Sequence, residues 1–100
     1  MVGQTRTKAQ MFQDLLNRFE AMKQIDNTLQ TLSFSYISNI FTVIDRSIGD
    51  FFTAEINCNG HSFFTAFYDH GNSYSMVEKG SLDETIKYVI DAFHLVRISR

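Results

Sequence analysis

The chain has no proline and no tryptophan, and cysteine occurs once, as Cys58. The lack of proline removes the usual marker of a rigid linker, and no low-complexity stretch takes its place. One hundred residues without an interior boundary correspond to one domain. A single cysteine excludes an internal disulfide and suits a reducing compartment, so a cytoplasmic protein is expected. No apolar run approaches the roughly 20 residues that a helical membrane span needs. The stretch 1–6 lacks an apolar segment, so it is expected to be a disordered polar tail rather than a signal peptide. The domain proper is placed at 7–100.

Glycine is sparse as well. Gly3, Gly49, Gly60, Gly71 and Gly80 stand singly, so no glycine-rich phosphate loop is present. Basic charge is not concentrated either. Arg6, Lys8, Arg18 and Lys23 lie near the start, and Arg97 and Arg100 lie at the end. The span between holds Arg46, Lys79 and Lys87 against every acid except Asp14 and Glu20. A nucleic-acid binder needs a basic face, so an acidic body argues against nucleic acid and for a partner with a basic surface.

Aromatic residues are abundant: ten Phe and four Tyr. Met11, Phe12, Leu15, Leu16, Phe19 and Met22 recur at helical spacing after the N-cap candidate Thr7, and Asp26-Asn27 ends that helix. Leu32, Phe34 and Tyr36 alternate with serines. Helical spacing also fits the 28–50 region, but its β-branched and aromatic content favours strands at 31–37 and 40–46 around a Ser38-Asn39 turn. Ser47-Ile48-Gly49-Asp50 reads as the next turn.

Asn59-Gly60 is a strong hairpin signal, because a type I′ turn needs positive φ at both central residues. Centring the turn there pairs Cys58 with His61, Ile56 with Phe63, Ala54 with Thr65 and Phe52 with Phe67, all on the core side. Phe51, Glu55, Phe64 and Tyr68 then share the other side. Asp69-His70-Gly71-Asn72 is the following turn. Pairing Tyr68 with Ser73 would put Tyr74 and Met76 on the core side. Ser81-Leu82-Asp83-Glu84 matches a capping box before a second stripe of Leu82, Ile86, Val89, Ile90 and Phe93. The expected fold is α+β: an N-terminal helix, an antiparallel meander of four to five strands and a C-terminal helix, both helices on one sheet face.

Chemistry is harder to find. Cys58 with His61 would be an activated nucleophile only if a cleft and an oxyanion site surrounded them, and a hairpin tip offers neither. Cys58, His61, His70 and His94 are too dispersed for a metal set, so no metal and no cofactor are expected. Asp83 and Glu84 are capping residues before they are a catalytic dyad. The helix–strands–helix order also occurs in double-stranded-RNA-binding domains, but a second helix beginning Leu82-Asp83-Glu84 repels phosphate.

These features fit a non-enzymatic protein-binding module. Inhibitors, immunity proteins and phage or mobile-element antagonists have this character, masking a partner through an acidic and aromatic face. The candidate face comprises Asp45, Asp50, Phe51, Glu55, Phe64 and Tyr68, with Phe41 a further candidate. One alternative is a structural or regulatory homodimer paired through sheet faces or edges. Another is a small enzyme or ligand-binding protein using Cys58, His61, Tyr68 and Tyr74 in a helix–sheet pocket.

Overall fold

A computed structural model describes residues 7–73 and 77–99, the side chains of Asp50 and Ser73 excepted. The tail assigned to 1–6 and the core positions assigned to Tyr74 and Met76 lie outside the described residues. The order of elements is α1 (Lys8–Ile25), a short 3-10 turn (Asn27–Leu29), β1 (Leu32–Ile37), β2 (Ile40–Asp45), β3 (Gly49–Cys58), β4 (Phe63–Asp69), β5 (Asn72–Ser73), β6 (Val77–Lys79) and α2 (Leu82–Ile98).

Helix α1 begins as its sequence demands. Thr7 Oγ1 accepts from the Gln10 N–H at 3.1 Å, and Gln10 Oε1 accepts from the Thr7 N–H at 3.0 Å, a complete capping box. The expected box at α2 is different. Ser81 Oγ accepts from the Glu84 N–H at 3.1 Å, but its own hydroxyl donates to the Glu84 carboxylate at 3.0 Å. The glutamate therefore holds the capping hydroxyl rather than an orphan backbone donor.

The sheet is antiparallel, in the order β1-β2-β3-β4, with β5 and β6 both pairing with the far side of β4. Hairpin β1–β2 turns at Ser38 and Asn39, whose φ values of 56° and 64° give the double positive φ of a type I′ turn. His70 and Gly71, at 53° and 83°, do the same between β4 and β5, and Tyr68 pairs with Ser73 as expected.

Two turns depart from the sequence reading. The 47–50 turn is displaced: Arg46 to Ile48 make it, and Gly49 and Asp50 already belong to β3. Gly49 pairs with Asp45 across a register shift, at a φ of +92° that suits glycine.

The Asn59-Gly60 turn is also shifted. Cys58 pairs with Phe63, Ile56 with Thr65 and Ala54 with Phe67, two residues away from the expected register. Gly60 has a φ of 92°, whereas Asn59 is not in the left-handed region. The central pair is therefore Gly60-His61, with positive φ at the first position only, as in a type II′ turn. Asn59 acts through its side chain: Oδ1 accepts from the His61 N–H at 2.9 Å and the Ser62 N–H at 2.8 Å. Because side chains alternate with period two, a shift of two changes every partner and moves no residue to the other face.

Both helices cover one face. Phe12, Leu15 and Phe19 of α1 and Ile86, Val89 and Phe93 of α2 join Phe41, Val43, Phe52, Ala54, Ile56, Cys58, Phe63 and Phe67 of the sheet in one buried cluster. Phe41, expected as a candidate for the exposed patch, is only 2% exposed. It lies among the rings of Phe12, Phe19 and Phe34, at centroid distances of 6.3, 6.0 and 5.9 Å.

Candidate interaction face

The strand pairings generate a second face opposite the helices. One row pairs Ile37 with Ile40 and, beyond the end of the β2–β3 pairing, Asn57 with Phe64 and Glu78; the next runs Ser35, Thr42, Glu55 and Ala66; the third runs Ser33, Ile44, Thr53 and Tyr68. Phe51, toward the β4–β5 turn, packs at the border of this face and the buried cluster, and its ring stacks on His70 with centroids 4.7 Å apart. No element among the described residues lies over these rows. Their large side chains shield one another only partly: Ile40, Ile44, Phe51, Phe64 and Tyr68 are half-buried, and Ile37 is 71% exposed. Glu55 stands in the middle row between Thr42 and Ala66, and among the described residues of these three rows it is the charged side chain away from the sheet edges.

Of the sequence-derived candidates, Phe51, Glu55, Phe64 and Tyr68 therefore share one surface. Asp50 belongs to β3, but its side chain is outside the described residues. Asp45 must be removed from the face, because it points to the helix side at 0% exposure. Its Oδ1 accepts from Thr31 Oγ1 at 2.6 Å, Ser47 Oγ at 2.7 Å and Ser47 N–H at 2.9 Å, and its Oδ2 accepts from Arg97 Nε at 2.5 Å. Burial acts to raise the pKa of this carboxyl, but the bonds from Thr31, Ser47 and Arg97 together outweigh it and hold the group below the ordinary aspartate range. Asp45 is an internal strut joining β2 to α2. Sequence reasoning missed the isoleucines of the face. Their signal was the alternation of Ile40, Thr42 and Ile44 with Phe41 and Val43.

The possible chemical sites are separated by the fold. Cys58 is buried on the helix face, where burial pushes its thiol pKa up against smaller opposing effects from the Gly60 backbone and Lys8. A raised pKa and a buried sulfur leave little thiolate. Native protein is accordingly expected to resist alkylation at Cys58 and the denatured chain to react fully, as mass spectrometry would read; rapid modification of the native chain would contradict this packing. His61 sits exposed in the loop beyond it. His70 occupies the turn at the other end of β4, with Nδ1 2.7 Å from Asp69 Oδ1, and His94 is on α2, with Nε2 3.3 Å from Thr28 Oγ1. No group of three His, Cys, Asp or Glu among the described residues is placed to hold a metal ion. No helix among them is long and apolar enough to cross a membrane.

Comparisons with protein-family models, curated proteins and solved structures returned no match to this chain.

Proposed function

We propose that the chain is a non-enzymatic protein-binding module, an inhibitor, antagonist or immunity-type protein that masks its partner with the outer face of its sheet. The observation that carries this reading is the uncovered outer face, on which large apolar residues of β2 and β4 flank the polar outer side of β3. Both helices pack on the opposite side, and Ile40, Ile44, Phe64, Ala66 and Tyr68 surround one central carboxylate, Glu55. Antiparallel sheets commonly expose one face, but that face is then normally polar. Large apolar and aromatic residues left partly exposed on such a face are of the types enriched at interface centres. The partner's surface would be apolar, with a Lys or Arg placed over Glu55, whose charge fixes orientation more than it adds affinity.

The test is capture from the native source by wild-type chain and three variants. Phe64→Ser and Glu55→Arg alter the face, whereas Lys87→Glu alters exposed α2. A protein retained by wild type and Lys87→Glu, but bound on the order of thirtyfold more weakly after Phe64→Ser, would support the reading. Capture that is equal for all four chains, or lost only with Lys87→Glu, would overturn it.

A further inference from the structure

The two edges of the sheet are built differently. On the β4 side the edge is divided between β5, two residues long, and β6, three residues long with Glu78 and Lys79. Short, charged edge strands resist pairing with other chains. On the other side β1 has six residues, Leu-Ser-Phe-Ser-Tyr-Ile, with no charge and no proline, and its register with β2 is uninterrupted. Among the described residues, the protection it has is Lys23 of α1, which covers its first half.

Register determines which backbone groups of β1 are offered outward. The Arg46 N–H donates to Thr31 O at 2.9 Å, so the residues of β1 that bond to β2 are the odd-numbered ones. Those of Leu32, Phe34 and Tyr36 point away from the sheet. Lys23 takes the first of them, Nζ donating to Leu32 O at 3.0 Å while lying over the Phe34 ring. Phe34 and Tyr36 remain, each with an N–H and a C=O, before the chain turns at Ser38. Tyr36 is 45% exposed, and its neighbour Ile37 is more exposed still.

We propose that β1 pairs with β1 of a second copy of this chain, antiparallel about a two-fold axis at Ser35. Phe34 of each protomer then bonds to Tyr36 of its partner, which satisfies the outward N–H and C=O of both residues. Ser35 faces the partner's Ser35 in a non-hydrogen-bonded pair, and Ile37 faces the partner's Ser33. Phe34 and Tyr36 lie symmetrically about Ser35, so a second copy of this strand meets each outward residue with its complement. The strand brings no like charges together. The flank of α1 above it carries Glu20 one turn before Lys23, so it presents both signs to its own two-fold copy. The two helix layers lie on the same side of the joined sheet, and the two outer faces become one continuous surface. This inference is independent of what binds that surface.

Sedimentation or light scattering of the full chain over a wide concentration range is expected to show a monomer–dimer equilibrium. Ser35→Lys places two ammonium groups opposite each other at the axis, on an exposed site where the monomer tolerates the change, and should abolish the dimer with an unaltered circular dichroism spectrum. Ser35→Cys should give an interchain disulfide on mild oxidation, since directly opposed residues of a non-hydrogen-bonded pair lie about 4.5 Å apart at Cα, within disulfide reach. A chain that stays monomeric throughout would overturn the proposal and leave this edge to a strand of another protein. A dimer that survives Ser35→Lys, or one lost with Phe64→Ser instead, would overturn it in favour of pairing elsewhere.

Discussion

Asp45→Ala is expected to destabilise the fold by about 3–5 kcal/mol, toward the lower end of that range. A domain of this size holds roughly 5–15 kcal/mol in total, so the loss is a large fraction of it. Asp45 is fully buried, and removing it takes the carboxylate from the Arg97 guanidinium, which keeps only a 3.3 Å bond to Thr31 Oγ1, and from the hydroxyls of Thr31 and Ser47. Arg97 retains 22% side-chain exposure and can reach water, which sets the lower end. The reverse deletion should be milder. Arg97→Met leaves a carboxylate that still accepts from Thr31 Oγ1, Ser47 Oγ and Ser47 N–H. Chemical denaturation of the two single variants measures the asymmetry directly, and a cost for Asp45→Ala below about 1 kcal/mol would show that the site behaves as a surface pair.

The same carboxylate gives a pH dependence whose sign follows from its depressed pKa. The unfolded chain has an ordinary aspartate value of about 3.9. Between that value and the lower folded one, the unfolded state binds more protons, so stability rises with pH. The stabilisation from Asp45 is therefore complete above the unfolded value and is lost as pH falls through the folded one. Asp45→Asn should flatten the acid limb of the stability curve relative to wild type. An identical slope in both proteins would place the titration elsewhere.

That strut was illegible in the sequence, and the reason is physical. Asp45 and Arg97 are 52 residues apart, and what joins them is the docking of α2 over the end of β2, which no local pattern encodes. Local patterns fared better. Thr7, the stripe of α1, the Ser38-Asn39 turn and the stripe of α2 are short-range signals, and each element stands where they put it. The β3–β4 hairpin lies between these cases. Asn59-Gly60 marked the turn correctly, but Asn59 can serve a turn by taking positive φ or by bonding with its carboxamide, and the chain uses the second. The face assignment survived because the resulting error was even. It therefore brought Phe51, Glu55, Phe64 and Tyr68 together from sequence, while the isoleucines of β2 joined them only once β2 was paired with β3.

Which phenylalanines form the core and which form the face is decided by strand parity, and stability separates the two groups. Phe41→Ala is expected to cost about 3–5 kcal/mol, the range for truncating a fully enclosed aromatic ring. Phe41 sits where α1 meets the sheet, and its ring is shared by Phe12, Phe19 and Phe34, so those neighbours cannot all collapse into the space it vacates. Phe64 has the same composition and lies on an adjoining part of the same sheet, but it is half-buried on the bare side. Its truncation should cost about 1 kcal/mol, because one side of the ring already meets solvent and leaves no cavity. Denaturant titration of both variants gives the comparison. Equal losses would mean that the second face is covered in the folded chain, and that Phe64 belongs to a core rather than to a surface awaiting a partner.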